Sequence, residues 1–368
     1  MDEKMKKIIF IVLGGFVLLF LFLFIISSCD KEMSIKNLEK MMVDNAKYYY
    51  KNHKEELPQN GNIKTVSLVE LESLNIIDEL ETLEEGTTCS GMLTIENNND
   101  YYLYSPSLNC TSNTETYKTE KLKDVLLKDL TTTGNGLYNI NNEYYYRGDN
   151  VNNYVVFDGL LWRATKINNN NSIRLLEVTK RESVVWDDRY NSEIKYSSGI
   201  NDFISNGLNS RIKDTLENIY NTEDVLSNDA KGFIKATNLC VGKRSLEETI
   251  NDGTVECSSI IENQYIGLLQ VNEYLIASLD TNCINTESTA CENYNYLAEI
   301  QNPFWTITAS TTRSDKVYRI NGNIIESTAS NTGMARMVIN ISENTNVTGK
   351  GTEKDPYIVS GLKSELKK

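Results

Sequence analysis

Residues 8–26 form a run of nineteen residues without a charged side chain. A helix of that length, rising about 1.5 Å per residue, nearly spans a hydrocarbon core of roughly 30 Å. It is apolar on every side and has no face to turn to water, which argues against a helix of a soluble domain. Lys4, Lys6 and Lys7 precede the run. Basic residues stay on the cytoplasmic side, so the start is expected inside and the rest exported. The membrane is therefore an expected partner through the N-terminus, and residues 1–29 are the expected signal or transmembrane anchor.

The remainder has the make-up of a folded chain. Hydrophobic residues make up 40% and charged residues 24% of 368, a length that suits two domains. Lys and Arg number 37 against 51 Asp and Glu, a net charge of −14. That balance repels phosphate backbones, so no nucleic-acid partner is expected. The single histidine, His53, argues against His-based metal sites and against Ser–His or Cys–His catalytic pairs. No EF-hand spacing occurs. No metal and no cofactor are expected.

Besides Cys29, the chain carries Cys89, Cys110, Cys240, Cys257, Cys283 and Cys291. These six fall as sequence neighbours 21, 17 and 8 positions apart. Six cysteines allow 15 connectivities and spacing alone does not choose among them; neighbour pairing is the expectation. An exported chain favours disulfides over thiols. No Cys-x-x-Cys points to zinc or redox chemistry. Ile26-Ser27-Ser28-Cys29 resembles a bacterial lipobox, which implies lipidation at Cys29. The apolar run is longer than the usual 7–15-residue signal core and fits an uncleaved single-pass anchor as well. Either anchor puts the protein on the extracellular face of a cell membrane.

Residues 30–112 read as a membrane-proximal α+β spacer domain. Ile35, Leu38, Met41, Met42, Ala46 and Tyr49 recur at helical spacing behind Ser34, a capping residue. Ser67 and Glu70 suit a capping box for a second, short helix. Residues 92–95 and 101–104 read as a hairpin around a turn at 97–100. This helix-plus-hairpin beside an anchor resembles a pilin or pseudopilin head, although Gly14-Gly15-Phe16 lacks the Glu of the prepilin signature. Residues 113–135 are polar and Thr-rich and read as a linker, with a helix at 120–129 capped by Thr119. Residues 361–368 read as a polar tail.

Residues 136–360 read as a larger, β-rich, mixed α+β domain. Asp158-Gly159 and Asn321-Gly322, each between apolar segments, predict hairpins. Residues 202–204 and 208–220 read as helical. Phe157, Gly159, Trp162 and Arg163, then residues 266–269, Trp305-Thr306, Arg336, and the closing Gly351, Thr352, Pro356 and Tyr357 resemble a family of uncharacterised extracellular domains in Gram-positive surface proteins. The order of the late strands is also similar to C-type-lectin-like folds. The resemblance implies a non-enzymatic surface module for binding or adhesion, or an envelope component, whose partner is a glycan or a cell-surface protein. Trp162, Arg163, Trp305 and Arg336 are the candidate binding residues, the indoles for stacking on a sugar and the guanidinia for carboxylates. As strand residues all four suit a core equally well. The alternatives are an extracellular hydrolase using Asp187, Asp188 and Glu262, and a pilin-like assembly component.

Overall fold

The computed structural model describes residues 34–77, 83, 85–114, 116–288, 291–292 and 294–367. The apolar run at 8–26 and the lipobox-like residues 26–29, with Cys29, lie outside the described residues. Among the described residues no helix is long and apolar enough to cross a membrane. The described fold is mixed α+β and rich in strand.

Helix α1 (Ile35–Asn52) starts at Ser34, whose hydroxyl accepts from the Asn37 amide at 3.4 Å. Leu38, Met42, Ala46 and Tyr50 recur every fourth residue and are all fully buried. Each large side chain buried in this way stabilises by roughly 1.5–3 kcal/mol. Their partners lie on α2 (Leu68–Ser73) and on an antiparallel sheet of β1 (Ile63–Ser67), β2 (Thr88–Asn98), β3 (Tyr101–Thr111) and β4 (Thr116–Lys118), in that order. Ser67 and Glu70 form the expected capping box at α2. The β2–β3 hairpin is longer than the predicted one, and Cys89 and Cys110 face each other across it as a disulfide.

The segment expected as a linker is structured. Thr119 caps no helix; its hydroxyl accepts from the Leu108 amide at 2.9 Å. Strand β4 belongs to the small sheet and β5 (Glu120–Lys121) to the large one, so the chain passes from one sheet to the other around Thr119. Helix α3 (Leu122–Leu126) then buries Leu122, Val125 and Leu126 in the large core. Apolar residues at helical spacing do not stay in water, and this overrides the polar composition around them. The tail is held too. Gly159 donates its amide to the Lys363 carbonyl at 2.8 Å and accepts from the Lys367 amide at 2.8 Å.

The large domain first lays down β6 (Gly136–Ile140), β7 (Glu143–Arg147), β8 (Tyr154–Phe157), β9 (Leu160–Ile167), β10 (Ile173–Glu177) and β11 (Ser183–Val185). The β8–β9 turn is Asp158-Gly159, at φ 52° and 75°, the left-handed pair that a tight hairpin demands. Next come β12 (Ile204–Ser205), β13 (Leu208–Asn209), α4 (Arg211–Asn221), α5 (Asn228–Phe233), β14 (Thr237–Cys240), β15 (Lys243–Arg244), β16 (Ile260–Gln264) and α6 (Val271–Ile276). The helix expected at 202–204 is instead the start of a hairpin turning at Asn206-Gly207, both at positive φ. The chain ends in β17 (Phe304–Ser310), β18 (Lys316–Asn321), β19 (Asn323–Thr328), β20 (Thr332–Met334), β21 (Val338–Ile341), β22 (Asn346–Thr348) and β23 (Tyr357–Val359). One sheet runs β21-β10-β9-β8-β23-β22-β5, with the β6–β7 hairpin added at β9. The other runs β11-β20-β17-β18-β19, with β15 parallel to β17. Both sheets share one core that holds Trp162, Trp186 and Trp305.

Strand β3 serves both domains. Its Tyr104 and Leu108 join the small core and its Leu103 the large one. Helix α5 lies so close to β3 that a Cβ on Gly232 would stand 2.2 Å from the Tyr102 carbonyl oxygen. Glu96, buried at the junction, pairs with Lys235 and accepts from the Ser342 hydroxyl at 2.6 Å.

Glu39 of α1 is also buried, beside Tyr117 and Ser360 in a cavity of about 70 Å³. Burial pushes its carboxyl from 4.5 to about 7, against the pull of the two hydroxyls and of Lys36. Folding therefore favours the protonated acid. Its contribution is fully present below the unfolded pKa near 4.5 and is lost as pH rises to about 7. A shift of this size corresponds to about 3 kcal/mol. Urea unfolding of the full chain at about pH 4 and about pH 8 is expected to show wild type losing about 3 kcal/mol more than Glu39→Gln. Equal losses would count against the buried acid.

Candidate functional site

One row of polar residues crosses four strands of the first sheet. Tyr145 on β7 lies opposite Lys166 on β9, Lys166 opposite Arg174 on β10, and Arg174 opposite Asn340 on β21. Directly opposed residues share a face. The next row, Tyr144, Ile167, Ile173 and Ile341, points the other way into the large core. The pleat thus turns one row inward for packing and leaves its neighbour as a polar floor.

A wall rises over this floor from two directions. Helix α6 contributes Glu273, whose carboxylate pairs with Arg174 at 2.6 Å and accepts from the Gln270 amide at 3.0 Å. The loop closed by the Cys240–Cys257 disulfide contributes residues 252–254. Between floor and wall is a cleft of about 340 Å³, inside the roughly 300–1,000 Å³ range of ligand pockets.

The charges on its floor are matched within the protein. Glu143 accepts from Lys166 at 3.1 Å and from the Tyr145 hydroxyl at 2.5 Å. Burial pulls the Glu143 carboxyl up, but Lys166 and the Tyr145 hydroxyl outweigh it and hold it below the usual range. Burial, reinforced by Glu143, pushes the Tyr145 phenol well above its ordinary value. Asp252 accepts from both the hydroxyl and the amide of Thr254, which lowers its pKa.

The four residues expected to touch a ligand lie elsewhere and are core residues. Trp162 and Trp305 are 0% exposed, Arg163 3% and Arg336 2%. The Trp162 indole donates to the Phe157 carbonyl at 3.2 Å and that of Trp305 to the Val184 carbonyl at 2.9 Å. Arg163 is stacked over Tyr154, 3.8 Å from the ring centre, and bonds to Asn153. Arg336 donates to the Thr179 and Gln301 carbonyls at 3.0 and 2.8 Å, and burial pulls its guanidinium down to about 10. Stacking on a sugar needs an open ring face, and the two indoles have none. The hydrolase carboxylates do not line the cleft. Asp187 is buried against Arg189, Asp188 meets Arg211 at 3.1 Å, and Glu262 stands on β16.

All six described cysteines pair with their sequence neighbours. Asp280, Cys283 and Cys291 bring possible metal-ligating atoms together, but the two sulfurs are bonded to each other and are not thiolates. The cleft left a trace in the sequence. Asn340 interrupts the otherwise apolar β21, while Lys166 and Arg174 are two of several polar residues on β9 and β10. Compared with protein-family models, curated proteins and solved structures, the chain finds no match.

The Arg174–Glu273 pair is almost fully dehydrated, whereas Lys166 and Glu143 keep part of their exposure. Removing one partner of a buried pair strands the other charge and costs about 3–5 kcal/mol. Glu273→Gln is therefore expected to lose about that much in urea unfolding, and Glu143→Gln about 1 kcal/mol. Equal losses would show that burial does not separate the two pairs.

Proposed function

We propose that the protein is a non-enzymatic binding module of the bacterial cell surface. It is exported and held at the membrane by its N-terminal segment, through lipidated Cys29 or an uncleaved span, and presents the polar cleft to a glycan or a surface protein. The observation that carries this reading is the cleft itself: a polar floor built into the sheet and roofed by a disulfide-closed loop. The three disulfides suit an extracellular or secreted protein. The motifs at Phe157–Arg163, Trp305-Thr306, Arg336 and 351–357, by which the sequence resembles Gram-positive surface domains, fit the same reading.

Two measurements test it. Alkylation of the denatured, unreduced full chain followed by mass spectrometry should leave Cys89, Cys110, Cys240, Cys257, Cys283 and Cys291 unmodified, and should find Cys29 either lipidated or alkylated. Protease added to intact cells should remove the region after residue 30. Six reactive thiols in a cytosolic product would overturn the proposal.

A further inference from the structure

We infer that the cleft takes an uncharged, hydroxyl-rich carbohydrate, an inference that rests on the surface-binding reading. The first argument is charge. Lys166 and Arg174, the cations on the floor, are occupied by Glu143 and Glu273. Asp252 at the rim has no cationic partner among the described residues and repels anions. An anionic polymer therefore finds no free cation there among the described residues and meets one carboxylate without a cationic partner.

The second argument is hydrogen-bond chemistry. The lining is rich in amides: Asn168, Asn169 and Asn170 from the β9–β10 turn, Asn238 from β14, and Gln270 and Asn272 at the start of α6. An amide side chain offers both donors and an acceptor, which matches a hydroxyl that does both. Asn272 is 2% exposed, and its side-chain oxygen meets no donor among the described residues.

The third argument is what the wall lacks. Among the described residues, none of the side chains lining the cleft is aliphatic. A peptide is normally anchored by pockets for its apolar side chains, and a lipid by an apolar trough. Tyr145 offers no open platform either, because its ring is buried and faces Lys166. Recognition here proceeds through hydrogen bonds at the edges of sugar rings.

The test uses the full chain in detergent and isothermal titration with maltohexaose, cellohexaose, hexa-N-acetylchitohexaose, hexagalacturonate and a neutral ten-residue peptide. Asn169 and Asn238 line the cleft, are exposed, and make no side-chain hydrogen bond among the described residues. The double variant Asn169→Ala/Asn238→Ala should therefore keep the wild-type melting temperature. At least one neutral oligosaccharide is expected to bind, at least about tenfold tighter than hexagalacturonate, and the double variant should weaken it by about tenfold or more. Tighter binding of hexagalacturonate or of the peptide overturns the ligand class, and so does the absence of binding by every neutral sugar. Sugar binding that the double variant leaves intact overturns the cleft as the site while the surface-binding reading stands. That reading fails separately if the chain is not displayed outside the cell.

Discussion

The Arg244–Glu256 ion pair, with both side chains wholly out of water, is the joint on which the cleft depends. Arg244 sits on β15, beside β17 of the second sheet. Glu256 lies at the far end of the disulfide-closed loop and accepts from Arg244 at 2.9 Å and from the Asn272 amide at 3.2 Å. The next residue, Glu273, holds Arg174 on the first sheet. A continuous path of charge-assisted bonds therefore runs from one sheet, through the loop and α6, to the other. The pair is not there chiefly for stability. Burial raises the Glu256 carboxyl above its usual range even with Arg244 beside it. Dehydrating two charges costs about as much as their attraction returns. What the pair supplies is a single geometry for the loop, which the disulfide then closes.

The small domain depends on a different constraint. Strand β3 is packed from both sides, and Glu96, Asn98 and Ser105 bond across to the large domain at Ser342, Ile234 and Asn346. Hydrogen bonds between buried polar groups at a junction fix its geometry more strictly than apolar contact does. The two domains thus present the cleft on one continuous body. The buried acid Glu39 lies at the same junction and makes that body's stability depend on pH.

Local rules in the sequence had local outcomes in the fold. Ser34 caps α1, Ser67 and Glu70 box α2, Asp158-Gly159 turns β8 into β9, and the cysteines pair with their nearest neighbours. Within the polar 113–135 segment the helix expected at 120–129 is present, but Leu122, Val125 and Leu126 on it pack into the large core, so the segment is part of the fold rather than a linker. The cleft is hidden in the sequence for a deeper reason. Trp162 and Arg336 stand out by residue type, but type does not reveal exposure. The cleft floor is assembled from positions 145, 166, 174 and 340, which become neighbours only through the register of four strands, one arriving from far along the chain. Polar residues inside largely apolar strands are legible in the sequence; which of them align across the sheet is not.

Hydrogen–deuterium exchange on the full-length Glu256→Gln variant tests the account most directly. If the buried pair holds the cleft, exchange should rise together in residues 244–257, in 270–274 and in the Arg174 strand, while α1 and β3 keep wild-type protection. Faster exchange confined to 244–257, with 270–274 unchanged, would contradict it.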